Sequence, residues 1–307
     1  MGAGRDRQGY QQKTLMQIQT LDTGAAQLSL RVYDATQAAH TSVVIGGAMG
    51  VRQHYYAPFA QWLSSQGFRV TTFDYRGSGD SLPDTANGGL RGFKADLLDW
   101  AGDYEAVVDA AKAALPDAPL YLLGHSLGAQ LPGFLKNQDK VAGLVSIAAG
   151  SGYWRDNAPQ LRRMILYFWY VLVPLATRLF GYFPGRTLRK VGDLPAGVML
   201  QWRKWCLHPQ YSVGAEGESA RLSYGKVSFP VTALSITDDE LMTWRGTQNL
   251  INLYANAPRT FERIAPADLK VRRIGHFGFF REQFNQTLWP RAQKIIEGMA
   301  GVAKKAA

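Results

Sequence analysis

The sequence predicts an α/β fold, with a mainly parallel central sheet, helices on both faces, and a helical segment inserted into it. Three observations carry this. Short apolar, β-branched runs alternate with longer amphipathic stretches, the pattern of a sheet layered between helices. That alternation breaks after Gly150 and resumes at Ser228-Phe229-Pro230-Val231. The chain has 307 residues, 46% of them apolar and 19% charged, a size that buries about three quarters of its unfolded surface without covalent staples.

The predicted strands are Leu28–Tyr33, Ser42–Ile45, Phe68–Tyr75, Leu120–Leu123, Val141–Ala148 and Val231–Thr237, with a weaker run at Leu269–Ile274. Helical patterns fall at 54–66, 91–114, 127–137, 243–255 and 285–300. In the second of these Leu97, Leu98, Ala101, Tyr104, Val107, Val108 and Ala111 are expected on one face by helical spacing. The organisation follows: an N-terminal segment 1–24, a first core part 25–150, a helical insertion 151–225 expected to cap the core, and a second core part 226–307.

The insertion is the compositional anomaly. It carries ten Lys/Arg against four Asp/Glu, 13 of the 36 aromatics and four of the eight tryptophans. Much of the net charge of +10 therefore sits in one segment. No basic run or reading motif for nucleic acid accompanies it, so the charge points to an anionic head group or membrane surface. The longest apolar stretch, Met164–Ala176, is about fourteen residues with Thr177, short of the ~20 a bilayer span needs, and Pro174 interrupts it. The polar first twenty residues lack an apolar signal region. The single cysteine, Cys206, excludes an internal disulfide framework and a multi-cysteine metal cluster. A cytoplasmic protein without metal or cofactor is the expectation.

Chemistry concentrates in Gly124-His125-Ser126-Leu127-Gly128, between an apolar strand and a helical pattern. This is a G-x-S-x-G nucleophile elbow, a tight strand-to-helix turn that lifts a serine hydroxyl above the sheet edge. A serine needs a base, and the elbow's partners follow it in the order acid, then histidine. Of five histidines, His40, His54 and His125 precede or adjoin Ser126, and His208 lies in the insertion, leaving His276. The acid belongs after the strand Val231–Thr237, where Asp238, Asp239 and Glu240 stand together; the usual frame falls on Asp239, with Asp238 the alternative. Two backbone amides must hold the oxyanion. One is that of Leu127, and the other lies in Gly46-Gly47-Ala48-Met49-Gly50, at Met49 or Ala48.

Together with Phe73-Asp74-Tyr75-Arg76-Gly77-Ser78-Gly79-Asp80-Ser81, these motifs resemble the α/β-hydrolase superfamily. More narrowly, they are similar to bacterial α/β-hydrolases near the serine-aminopeptidase-like and monoglyceride-lipase-like branch. Gly152–Asn157, Phe180–Arg186 and Asp193–Trp205 share that likeness, which covers about 25–300. The resemblance implies the α/β-hydrolase fold and a Ser126–His276–Asp239 triad, with Asp74–Gly77 structural; it implies no substrate. The expected activity is hydrolysis of lipophilic carboxylic esters through an acyl-enzyme, with Trp169 and Phe168 lining an acyl pocket. A thioesterase, an acyltransferase, or a non-catalytic member binding a lipophilic ligand or membrane surface are the alternatives.

Overall fold

The computed structural model describes residues 16–35, 38–82, 89–189 and 191–306. In chain order the strands are β1 (Met16–Asp22), β2 (Gln27–Tyr33), β3 (Thr41–Gly46), β4 (Phe68–Phe73), β5 (Leu120–His125), β6 (Gly143–Ile147), β7 (Tyr182–Phe183), β8 (Leu194–Pro195), β9 (Val231–Ile236) and β10 (Arg259–Ile264). Eight of them form one sheet in the order β1-β2-β4-β3-β5-β6-β9-β10, while β7 and β8 make a separate two-stranded ribbon. β2 pairs antiparallel with β1 and β4; the sheet from β4 through β10 is parallel.

The period of two sorts β5 between the faces of the sheet: Leu120 and Leu122 enter one apolar cluster, Tyr121 and Leu123 the other. Helices α1 (Ala57–Ser65) and α9 (Leu288–Ala306) cover the second face through Phe59, Leu63, Trp289 and Ile296. α2 (Leu97–Ala114) covers the first through Tyr104, Val107 and Val108. α2 starts later than its periodicity suggested because Asp96 caps it: the Asp96 carboxylate accepts from the Leu98 and Asp99 amides, and the Asp99 carboxylate accepts from the Asp96 amide.

Between β6 and β9 the chain forms α3 (Arg162–Tyr167), a π-helical turn (Phe168–Leu172), α4 (Val173–Phe180), the β7–β8 ribbon, α5 (Ala196–Leu207), α6 (Tyr211–Glu216) and α7 (Glu218–Lys226). Pro174, which has no amide hydrogen, sits just after the π turn, in the first turn of α4. This segment shares a continuous apolar cluster with the sheet, joining Met49 and Leu127 to Trp169, Val173 and Met199. It also touches the loop after β3 directly. A Cβ on Gly50, whose φ is +70°, would lie 2.6 Å from the Gly192 amide, so this backbone approach needs glycine.

Two expectations are corrected, and one strand adds to those expected. The segment 1–24 contains β1, an edge strand that was not expected: Met16 and Ile18 alternate with Gln17 and Gln19 as in a strand, but the run is short and almost wholly exposed. The last strand is Arg259–Ile264 rather than Leu269–Ile274; it is an edge strand with mostly solvated side chains, and the later run is a 3-10 turn and loop. The pattern at 127–137 is not one helix but two 3-10 turns, Ser126–Ala129 and Leu131–Phe134, divided where Pro132 removes a donor. The paired order of the other elements, from α1 through α8 (Trp244–Ile251) to α9, agrees with the α/β expectation.

Candidate active site

The carboxyl ends of the parallel strands point to one edge of the sheet, the edge at which α/β folds assemble their sites. β5, near the middle of the sheet, ends at His125, and Ser126 follows with φ 52°. A positive φ is costly for a residue with a side chain. The turn is enforced from both sides: a Cβ on Gly124 would lie 2.4 Å from the Ala129 amide nitrogen, and one on Gly128 would lie 2.0 Å from the Gly46 oxygen. Gly46, at the end of β3 and in register with Gly124, needs glycine for its own reason: a Cβ there would lie 2.7 Å from the buried Tyr104 ring.

The two candidate oxyanion amides differ. The Ala48 amide already donates to the Tyr56 hydroxyl at 2.8 Å. The Met49 amide makes no hydrogen bond to the described residues, nor does that of Leu127, which sits in the first turn after the serine where helical amides are unpaired. Of the expected pair 48 and 49, Met49 is thus the one with a donor to offer.

The loop after β9 resolves the run of three acids into three tasks, all directed at the loop after β10. The Asp238 carboxylate accepts from the amides of Ile274 (3.0 Å) and Gly275 (3.1 Å). Asp239 Oδ2 lies 2.8 Å from His276 Nδ1, and both side chains are almost wholly buried, 1% and 2% exposed. Asp239 Oδ1 accepts from the amides of Leu241 and Met242, each at 2.8 Å. Glu240 Oε2 accepts from the His276 amide at 3.0 Å, and its other oxygen pairs with Arg273 at 3.1 Å. Burial works to raise the Glu240 pKa, but the amides of Glu240 itself and His276, with Arg273, outweigh it and hold the carboxyl below its usual range. The position before His276 must be glycine: Gly275 has φ +66°, and a Cβ there would sit 2.9 Å from Glu240 Oε2.

A buried strut links these loops to the elbow. The Ala48 amide donates to Tyr56 Oη, which lies 2.9 Å from His125 Nδ1, while His125 Nε2 lies 3.1 Å from the His276 carbonyl oxygen. The bond order assigns the protons: Tyr56 donates to Nδ1, and Nε2–H donates to the carbonyl. Burial, reinforced by the neighbouring His276, pushes the His125 pKa well below its ordinary value, so the ring is neutral. Burial also pushes the Tyr56 phenol far up, so it keeps its proton. The structure therefore brings Ser126, Met49, Leu127, Asp239 and His276 to one strand edge. Tyr56, His125, Asp238 and Glu240 complete the arrangement; the consecutive acids were visible in the sequence, whereas nothing in it marked Tyr56.

Trp169 and Phe168 wall an apolar cavity of about 110 Å³ with Ile165, Trp202, Leu241 and Met242. Ser126 is not on its lining; the shared wall is the Leu241–Met242 backbone that holds Asp239. Arg76 has the structural place expected for it: its guanidinium reaches the buried Asp103 at 2.6 Å and its carbonyl accepts from the Trp100 indole. Cys206 is buried, with its thiol pKa pushed up by burial, and is therefore unreactive. Among the described residues no cluster of His, Cys, Asp and Glu suits a metal ion, and no helix is long and apolar enough to cross a membrane.

The strand order and the elbow at the end of the fifth strand define an α/β-hydrolase. The fold is shared with a soluble variant of monoglyceride lipase from Saccharomyces cerevisiae (TM-score 0.66, 15% identity, 94% of this chain and 96% of that one). It is shared as well with a thermostable carboxyl esterase from Bacillus coagulans (TM-score 0.63, 12% identity, 92% and 98%). The chain belongs to the family described as serine aminopeptidase, S33, whose model matches residues 37–193. It is also similar to lysophosphatidylserine lipase ABHD12, at 34% identity over 97 residues in Macaca fascicularis and 41% over 66 residues in Gallus gallus. Those matches cover 31% and 22% of this chain, but only 22% and 15% of the relatives' own length.

Proposed function

We propose that this chain is a serine hydrolase that cleaves carboxylic esters of lipophilic acyl groups through an acyl-enzyme. Ser126 Oγ attacks the ester carbonyl while His276 Nε2 takes its proton. Asp239 accepts the Nδ1–H, which leaves Nε2 free as the base and stabilises the imidazolium that forms. The amides of Leu127 and Met49 hold the oxyanion. His276 then returns the proton to the leaving alkoxide, and a water activated by the same ring releases the acid. The observation that carries this reading is the buried 2.8 Å pair of Asp239 and His276, with the His276 carbonyl 3.1 Å from Nε2 of His125, the residue before a serine held at φ 52°. A binding protein would have no use for either the strain or the pair.

The lipophilic acyl group is supported by the apolar cavity behind Phe168 and Trp169 and by the relatives named lysophosphatidylserine lipase. Each buried methylene contributes about 0.8 kcal/mol, so extending the acyl chain by four carbons raises kcat/KM by up to about 10²-fold. The test is hydrolysis of a series of p-nitrophenyl esters by wild type and Ser126→Ala. The reading expects turnover that rises with chain length and vanishes in the variant. A preference for acetate over octanoate removes the acyl pocket; equal turnover by Ser126→Ala removes the nucleophile.

A further inference from the structure

One helical stretch, from α3 through the π turn to α4, has two apolar faces. Its inner face supplies Ile165, Phe168 and Trp169 to the cavity. Its outer face leaves Met164, Tyr167, Tyr170, Val171, Leu175, Leu179 and Phe180 between 45% and 60% exposed. Most of the large apolar side chains exposed on the described surface therefore fall in these seventeen residues. Contiguous patches of this kind are rare on proteins that meet only water.

The charge around the patch identifies what would cover it. From Asn157 to Gly192 the chain contains no Asp or Glu, and it contains five arginines and a lysine. Arg178 stands exposed between Leu175 and Leu179, and no ion pair holds it among the described residues. Arg189 is exposed too, and Arg203 lies 5.3 Å over the Tyr170 ring. The side chains of Arg162 and Arg163, and all of Lys190, lie outside the described residues. Arg186 pairs with Asp193, which leaves Arg178 and Arg189 without an ion pair among the described residues, and apolar and tyrosine side chains beside such arginines suit the boundary between acyl chains and anionic head groups.

We propose that the outer face of residues 164–180 docks on an anionic phospholipid bilayer. The docked face and the cavity lie on opposite sides of the same helical stretch. This reading does not depend on catalysis, and it is tested on Ser126→Ala protein by flotation with vesicles. Vesicles of phosphatidylcholine alone are compared with equimolar phosphatidylcholine and phosphatidylserine.

The expected result is flotation with the mixed vesicles, weak flotation with the neutral ones, and a loss of about tenfold or more in Leu175→Glu/Leu179→Glu. The milder pair Leu175→Gln/Leu179→Gln weakens binding in the same direction. In the active background both pairs hydrolyse a soluble butanoate ester at the wild-type rate, because neither residue touches the cavity. Arg178→Glu removes the preference for phosphatidylserine. The proposal is overturned if the protein floats with neither vesicle, or if binding is unchanged by the leucine substitutions and so reflects net charge alone. It is also overturned if the leucine substitutions instead dissolve a dimer, which makes a second copy the occupant.

Discussion

Replacing Asp239 by asparagine tests the proposed acid with almost no change of shape. Asp239 Oδ1 accepts two amide hydrogens, from Leu241 and Met242, at 2.8 Å each. Those two donors require an oxygen opposite them, so in the asparagine variant the carbonyl oxygen stays there and the amide nitrogen takes the place of Oδ2. That nitrogen donates, which forces His276 Nδ1 to accept and moves the ring proton to Nε2, where it blocks proton transfer from Ser126. The variant also loses the charge facing the imidazolium. Unit charges about 4 Å apart at an effective dielectric near 20 attract by about 4 kcal/mol, roughly three powers of ten in rate.

We therefore expect kcat for a p-nitrophenyl ester to fall by about 10³–10⁴ in Asp239→Asn, with little change in KM or thermal midpoint. Asp238→Asn keeps one of its two amide acceptors and should lose on the order of tenfold through a displaced His276 loop. Glu240→Gln keeps its oxygen on the His276 amide and gives up only the partly exposed Arg273 pair, a loss smaller still. An Asp238→Asn variant as inactive as Asp239→Asn would refute the reasoning.

Ser126→Ala and His276→Ala should each lower kcat by about 10⁴–10⁶, with the double variant little worse, because the groups act as a unit. Gly128→Ala should abolish activity and destabilise the fold, as its Cβ would strike the Gly46 carbonyl; a folded, active variant would contradict the elbow geometry. Phe168→Ala should flatten the rise of kcat/KM with acyl length more than it lowers turnover of acetate, read from the same ester series. The pKa of His125 is depressed by burial, so its contribution to stability is full above about pH 6.5 and is lost as pH falls below it. Its groups in contact are the Tyr56 hydroxyl and His276. Unfolding free energies from urea titrations should show a component of about 1.4 kcal/mol per pH unit below pH 6.5 that His125→Gln removes.

The parallel core was legible because buried strands such as Leu120–Leu123 are continuous apolar runs, and the elbow because two glycines bracket its serine. Order along the chain then pointed to His276 as the candidate base and to Asp239 or Asp238 as the candidate acid. The edge strands β1 and β10 were missed: the alternation Met16-Gln17-Ile18-Gln19 is only four residues long and exposed, and Arg259-Thr260-Phe261-Glu262-Arg263 does not alternate at all. Asp238 and Glu240 were visible only as competitors for one role, since sequence does not show which amides a carboxylate meets. Tyr56 and His125 were silent because their roles arise from contact between residues 69 positions apart. The two-faced character of residues 164–180 was half legible: the apolar stretch Met164–Ala176 calls for burial or an apolar neighbour, but only the packing shows which side is covered.

The central claim is that Ser126 is the nucleophile, and covalent capture tests it most directly. The intact protein is treated with a fluorophosphonate probe, digested, and the modified peptide sequenced by mass spectrometry. The account predicts a single adduct on Ser126, formed in wild type, slowed severely in His276→Ala and absent in Ser126→Ala. Hydrolysis of esters that persists while Ser126 stays unmodified, or an adduct on another residue that abolishes activity, would contradict it.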